Sequence, residues 1–146
     1  MKFAELSTGQ RIVMGPVTVD REEVFEFAAK YDPQWFHTDA ERAAAGPWGG
    51  LIASGWHTCG LAMALVVKHI LEGSETFGSP GLSYLKWLNP VRPGDQLMLE
   101  VEVLEKRVSS SKPDLGIVRW RWVMSNQDGA AVLDVEATSL FRLQTT

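Results

Sequence analysis

A helix that is apolar on every side dictates what else its chain must contain. From about Ser54 to Leu71 the sequence carries Leu61, Ala62, Met63, Ala64, Leu65, Val66, Val67, Ile70 and Leu71, and Gly73 follows as a C-terminal cap. Such a helix has no polar face to offer water, so other elements have to wrap it. Its most apolar run, Leu61–Val67, lies between His57 and the pair Lys68–His69. That run is far short of the roughly 20 residues a membrane span needs. A buried helix, and no membrane partner, is the expectation.

The wrapping is legible downstream. From about residue 82 to 143, four stretches alternate with period two, the mark of strands with one buried face. Leu97, Leu99, Val101 and Val103 share a face opposite Glu100 and Glu102. Val118, Trp120, Trp122 and Met124 do the same opposite Arg119 and Arg121, as do Leu133, Val135 and Ala137 opposite Asp134, Glu136 and Thr138. Turns are expected at 89–95, at 109–114 and at 126–129, the last as a hairpin. The fold class is therefore α+β: one long apolar helix and an antiparallel meander curled around it.

Composition narrows the function classes. A chain of 146 residues with 45% hydrophobic and 22% charged residues has material for one real core, so residues 1–146 are expected to form one domain. The formal net charge of −4 gives no support to a binder of phosphate backbones, so nucleic acid is excluded as a partner. Cys59 is the one cysteine, which rules out an intrachain disulfide and a cysteine-built metal site. A reducing, cytoplasmic setting follows as the default. Behind Met1-Lys2 there is no long apolar stretch, so no targeting segment is expected.

Ahead of the apolar helix, Asp20-Arg21-Glu22-Glu23 reads as a capping box opening a helix. Val24, Phe27, Ala28 and Tyr31 form its apolar stripe, and Pro33 ends it near Asp32. A short helix over Asp39–Ala45 and the turn Gly46-Pro47-Trp48-Gly49-Gly50 follow.

Two places have the makings of chemistry. In Asp32-Pro33-Gln34-Trp35-Phe36-His37 a carboxylate and an imidazole share one loop. Together they suit orienting one water and accepting its proton. Against this stands a plainer alternative, in which Asp32 ends a helix and His37 is a surface residue. In Ser54-Gly55-Trp56-His57 a glycine opens the apolar helix, where amides lack acceptors and the dipole is positive. The Gly55 N–H then suits a carbonyl oxygen gaining negative charge. The alternative is a tight bend, and Ser54 caps the helix on either reading. His57 and Cys59 read as packing residues. Trp35, Trp48 and Trp56 flank both places, as an interface or as the wall of an apolar pocket.

The run Phe27-Ala28 to Asp32-Pro33-Gln34-Trp35-Phe36-His37-Thr38-Asp39, then Gly50-Leu51-Ile52-Ala53-Ser54-Gly55, resembles the MaoC-like dehydratases. These are the hotdog-fold group that includes the (R)-specific enoyl-CoA hydratases. Asn89-Pro90-Val91-Arg92-Pro93-Gly94-Asp95 is similar to the family's Pro-Val-x-x-Gly-Asp turn. The resemblance implies a hydro-lyase of fatty-acid metabolism that adds water to a 2-enoyl-CoA, or removes it from a 3-hydroxyacyl-CoA. Asp32 and His37 would be the acid–base pair and Gly55 the carbonyl-polarising amide, making these three the catalytic residues. Ser54, Trp56 and Met63 would contact substrate, and Lys86, Arg92 and Arg107 are candidates for the coenzyme A phosphates. It implies no metal and no cofactor other than coenzyme A as part of the substrate, and a homodimer or a higher oligomer built from dimers. Two positions depart from the family: Gln34-Trp35 stands for Asn-Pro, and Ser54 for the His before the glycine. Hotdog acyl-CoA thioesterases and a non-catalytic acyl-CoA-binding subunit remain as alternatives.

Overall fold

The structure, a computed structural model, describes residues 1–144. Its sheet has five strands in the order β1-β3-β4-β5-β2, with every neighbouring pair antiparallel. They are β1 (Arg11–Thr18), β2 (Thr76–Trp87), β3 (Gln96–Val108), β4 (Leu115–Ser125) and β5 (Ala131–Arg142). The alternation read from the sequence sets their faces. Leu97, Leu99, Val101 and Val103 are fully buried, as are Val118, Trp120 and Met124. Across from them Arg121 pairs with Asp134, and Arg119 with Glu136, on the outer face.

Strand β1 carries no clean alternation, because Gly15-Pro16 interrupts it and reads as a turn in sequence. It forms all the same, since Arg11–Met14 and Val17–Thr18 both find partners on β3 and the register shifts between Met14 and Val17. An edge position lets it accommodate a residue with no N–H to donate.

Four helices cross between β1 and β2: α1 (Arg21–Tyr31), α2 (Trp35–Thr38), α3 (Ala40–Ala44) and α4 (Gly55–Val66). The Asp20 carboxylate caps α1 by accepting from the Glu23 N–H at 3.0 Å, and Asp39 caps α3 in the same way through Arg42. The buried stripe of α1 is narrower than its spacing predicts. Val24 and Ala28 are buried, but Tyr31 is 64% exposed and lies against the half-buried Phe27 at the surface. Helix α2 replaces what reads as loop, so His37 stands on a helical turn rather than in a flexible segment.

The central helix α4 runs on as a π-helical stretch, Val67–Leu71, and the chain reverses near Gly73, whose φ of +76° favours glycine. One face packs into the core through Ala62, Leu65, Val66 and Ile70. The opposite face is not wrapped. Trp56, Met63 and Val67 are exposed; Trp56 meets Trp87 of β2, and Met63 shares a cavity with Leu82 of β2, which is exposed as well. The sheet of one chain covers only one side of this helix.

These burials set an expected stability pattern. Trp120, fully enclosed by the sheet core, loses about 3–5 kcal/mol on Trp120→Ala. Tyr31→Ala, at the exposed end of α1, costs under about 1 kcal/mol. Urea unfolding of both variants checks the contrast, and equal losses would return Tyr31 to the core.

Candidate active site

Asp32 follows directly on α1, its N–H still bonded to the Ala28 carbonyl at 2.9 Å. Pro33 bars a further helical turn, and three residues on α2 lifts His37 back toward Asp32. The imidazole is 4% exposed and ends with Nε2 3.2 Å from Asp32 Oδ2. Its Nδ1 lies 2.7 Å from the Ile52 carbonyl. A carbonyl can only accept, so Nδ1 carries a proton. Nε2 is thereby the ring nitrogen that faces the carboxylate, and in the neutral ring it is an acceptor.

The segment Leu51–Ser54 is buried and stitched to both sides of this pair. Ile52 N–H donates to Phe36 and Ala53 N–H to Val91, at 3.2 and 2.8 Å. This pins the start of α4 beside the Asp32–His37 pair. Ser54, fully buried, donates its hydroxyl to Asp32 Oδ2 at 2.8 Å, and Gln34 Nε2 donates to Oδ1 at 2.7 Å. Two of the three residues that depart from the family pattern, Gln34 and Ser54, therefore converge on one carboxylate. Burial pushes the Asp32 carboxyl up, but the bonds from Gln34 and Ser54 and the pairing with His37 outweigh it and leave the pKa below the ordinary value. Asp32 is an oriented carboxylate.

Ser54 departs from its expected roles in two ways. It makes no capping bond to its own helix, because its hydroxyl is directed at Asp32. It is also fully buried, where substrate contact was expected, and its hydroxyl positions the carboxylate. A consequence is that the first amides of α4, beginning with Gly55, have no side-chain cap.

Asp32, His37 and Gly55 line one open cleft of about 390 Å³. Trp48, Trp56 and Trp87 contribute its apolar walls, with Phe36, Ile52 and Val91. Trp56 and Met63, both expected at the acyl pocket, are separated: Trp56 lines this cleft, while Met63 lines a different cavity further along α4. Trp35 stays outside the cleft and carries the Arg42 guanidinium over its ring. His57 is a packing residue, stacked on Phe27 and bonded to Glu23 at 2.7 Å. Of the three bases named for coenzyme A, Arg92 borders the cleft and donates to the Trp48 carbonyl. Lys86 lies over the Tyr84 ring, and Arg107 pairs with Glu105 near the end of β3.

Trp87 is the site residue that sequence reasoning missed. Its indole N–H donates to the Gly55 carbonyl at 2.9 Å. The ring covers Gly55 so closely that a Cβ there would lie 2.4 Å from Cε2. Glycine at 55 is required by this approach. The available signal was a tryptophan at the end of a strand, just before Asn89-Pro90, which also fits a packing role.

Among known proteins, a family model described as MaoC like domain matches residues 4–119. The crystal structure of the MaoC-like dehydratase from Rhodospirillum rubrum is similar with a TM-score of 0.88 and 35% identity, covering 98% of this chain and 97% of that one. The unliganded R-hydratase PhaJ1 from Pseudomonas aeruginosa is similar with a TM-score of 0.75 and 30% identity, over 97% of this chain and 86% of its own. Over 83 residues the chain is 40% identical to 3-hydroxyacyl-thioester dehydratase Z of Mycobacterium tuberculosis, 56% of this chain and 55% of that protein. A further Mycobacterium tuberculosis structure, described as a double hotdog fold, matches in fold alone at 20% identity and a TM-score of 0.76, over 97% of this chain and 44% of that one. The curled sheet around α4 is a hotdog fold.

The lowered pKa of Asp32 has a definite sign for stability. A carboxyl depressed in the folded state favours folding above its unfolded value near 3.9, and that contribution is lost as pH falls through the depressed value. Ser54→Ala removes one donor, so the Asp32 titration, followed by carboxyl NMR, is expected to move up. An unmoved titration would show that the Ser54 hydroxyl does not hold the charge.

Proposed function

The chain belongs to the MaoC-like dehydratase family, and from that premise we propose that it is a hydro-lyase acting on a 2-enoyl or 3-hydroxyacyl thioester of coenzyme A. One observation carries the reading. An oriented carboxylate and an imidazole nitrogen 3.2 Å apart face the same cleft as the uncapped first amide of α4. The hydratase and dehydratase names of its relatives point the same way.

The reaction follows from this arrangement. The thioester carbonyl accepts from the Gly55 N–H, at the positive end of the helix dipole, so the enolate charge develops where a donor already waits. Asp32 and His37 Nε2 both accept from one water and orient its oxygen toward the β-carbon. As the C–O bond forms, a water proton passes to the pair, and a proton is returned at the α-carbon. Dehydration is the reverse. Asp32 stays ionised because Gln34 and Ser54 stabilise its charge. The chemistry calls on no group beyond these side chains, the amide and the coenzyme A of the substrate.

The assembly we propose is at least a homodimer. Exposed Trp56 on α4 and Val67 on its continuation, and β2 as an edge strand of the sheet, leave an apolar helix face and an open sheet edge that a second copy would cover by pairing along β2. Light scattering at micromolar concentration should give a dimer mass or a multiple of it; a monomer mass would overturn this assembly.

Activity is tested by the loss of enoyl-thioester absorbance with crotonyl-CoA and longer or branched homologues. Asp32→Asn and His37→Ala are each expected to lower turnover on the order of 10²–10⁴-fold. The double variant should be little worse than either, because residues that act as a unit are strongly non-additive. Multiplying losses, or a fully active His37→Ala, would separate the two residues. Release of free thiol without hydration would replace the reading with a thioesterase.

A further inference from the structure

The dyad cleft is bounded by two indoles. Trp56, in the first turn of α4, and Trp87, the last residue of β2, meet edge to face with centroids 5.1 Å apart and planes at 84°. Trp87 is anchored by its N–H on the Gly55 carbonyl and by the contact of its ring with Gly55. Swinging it aside gives up both.

Beyond this pair the same two elements line a second cavity, again about 390 Å³. On α4, Gly55, Trp56 and Thr58 line the first cavity, and Cys59 and Met63 the second. On β2, Trp87 lines the first, and Leu82 and Leu85 the second. The two cavities share no lining residue. Trp122 and Leu133 floor the second, and its lining holds no carboxylate, lysine, arginine or histidine. A linear aliphatic chain is the ligand chemistry such a surface accepts.

A thioester fixed by its carbonyl at Gly55 and its β-carbon at the dyad has its tail directed along these elements. We propose that Trp87 is the specificity-determining residue for acyl length, an anchored plate that confines substrates to short chains by separating the cleft from a second, alkyl-binding cavity. This rests on the proposed hydro-lyase reading of the site. Trp87, rather than Trp56 alone, is the stop, because it is the plate tied to the helix backbone. With its ring removed, the two cavities join and take the distal methylenes of a longer chain.

The test compares the parent, Trp87→Ala and Trp87→Phe on crotonyl-, octenoyl- and dodecenoyl-CoA. Trp87 is 45% exposed, so truncation leaves no core void. Each buried methylene is worth on the order of fourfold in affinity. Trp87→Ala is therefore expected to raise the ratio of kcat/KM for dodecenoyl over crotonyl substrate by at least about tenfold. Trp87→Phe keeps a ring over Gly55 but loses the N–H, so it should retain the short-chain profile. A parent that already prefers dodecenoyl-CoA, or a ratio unmoved in Trp87→Ala, overturns the inference and leaves the hydro-lyase reading standing. If the parent hydrates no enoyl thioester, that reading fails, and calorimetry with the inert thioethers S-butyl- and S-dodecyl-CoA decides the inference. Tighter dodecyl binding in Trp87→Ala but not in Trp87→Phe supports it, and any other pattern overturns it.

Discussion

The hydrogen bond from buried Ser54 to Asp32 ties the structure's chemistry to its fold. A hydroxyl with no exposure and a largely enclosed carboxylate are each costly unless partnered, and they partner each other. The bond joins the end of α1 to the residue preceding α4, two points far apart in sequence. It also withdraws Ser54 from the capping role that its position would otherwise give it. The first amides of α4 are left to whatever enters the cleft. One side chain thus helps Gln34 and His37 hold the charge on Asp32 and leaves the helix terminus open beside it.

The same economy appears around His37. The Ile52 carbonyl takes the Nδ1 proton, which fixes the ring orientation and turns Nε2 toward Asp32. Ile52 belongs to the buried segment that Phe36 and Val91 hold by backbone bonds. The position of the imidazole is therefore a property of the loop before α4 and of the Val91 turn, not of α2 alone. Val91 lies in the Asn89-Pro90-Val91-Arg92 run, so a segment distant in sequence from Asp32 and His37 helps to place the imidazole.

Periodicity carried most of the fold because burial on a sheet imposes period two with little exception. The inner faces of β3, β4 and β5 could be read directly, and so could the Asp20 cap. Strand β1 was not readable, since Gly15-Pro16 gives a local turn signal that pairing with β3 overrides. Tyr31 fits the stripe of α1 by spacing, yet it lies at the helix end beyond the reach of the core. For the site, Asp32, His37 and Gly55 were candidates by residue type that the family resemblance singled out, and they line one cleft. The partners of Gln34 and Ser54 were not, because a donor's choice between its own helix and a distant carboxylate depends on tertiary placement. Trp87 was hidden for the same reason: its N–H meets Gly55 only when β2 and α4 are packed together.

Gly55 then sits under two independent demands. Its carbonyl receives the Trp87 N–H, its Cα face is covered by the indole, and its own N–H is the thioester donor of the proposed chemistry. Any side chain at 55 strikes the indole before it affects the amide, so intolerance of substitution there is no measure of what the amide contributes to the rate. The two demands separate at the partner instead. Removing the indole relieves the crowding and leaves the amide in place, while changes at Asp32 or His37 leave Gly55 and its cover untouched. The proposed acyl wall and the proposed charge-stabilising donor meet at one residue, but they belong to different elements, β2 and α4, whose packing brings them together. That packing lies beside the exposed flank of α4, so a second copy seated along β2 would bear on chain length and on the placement of the amide through the same contact.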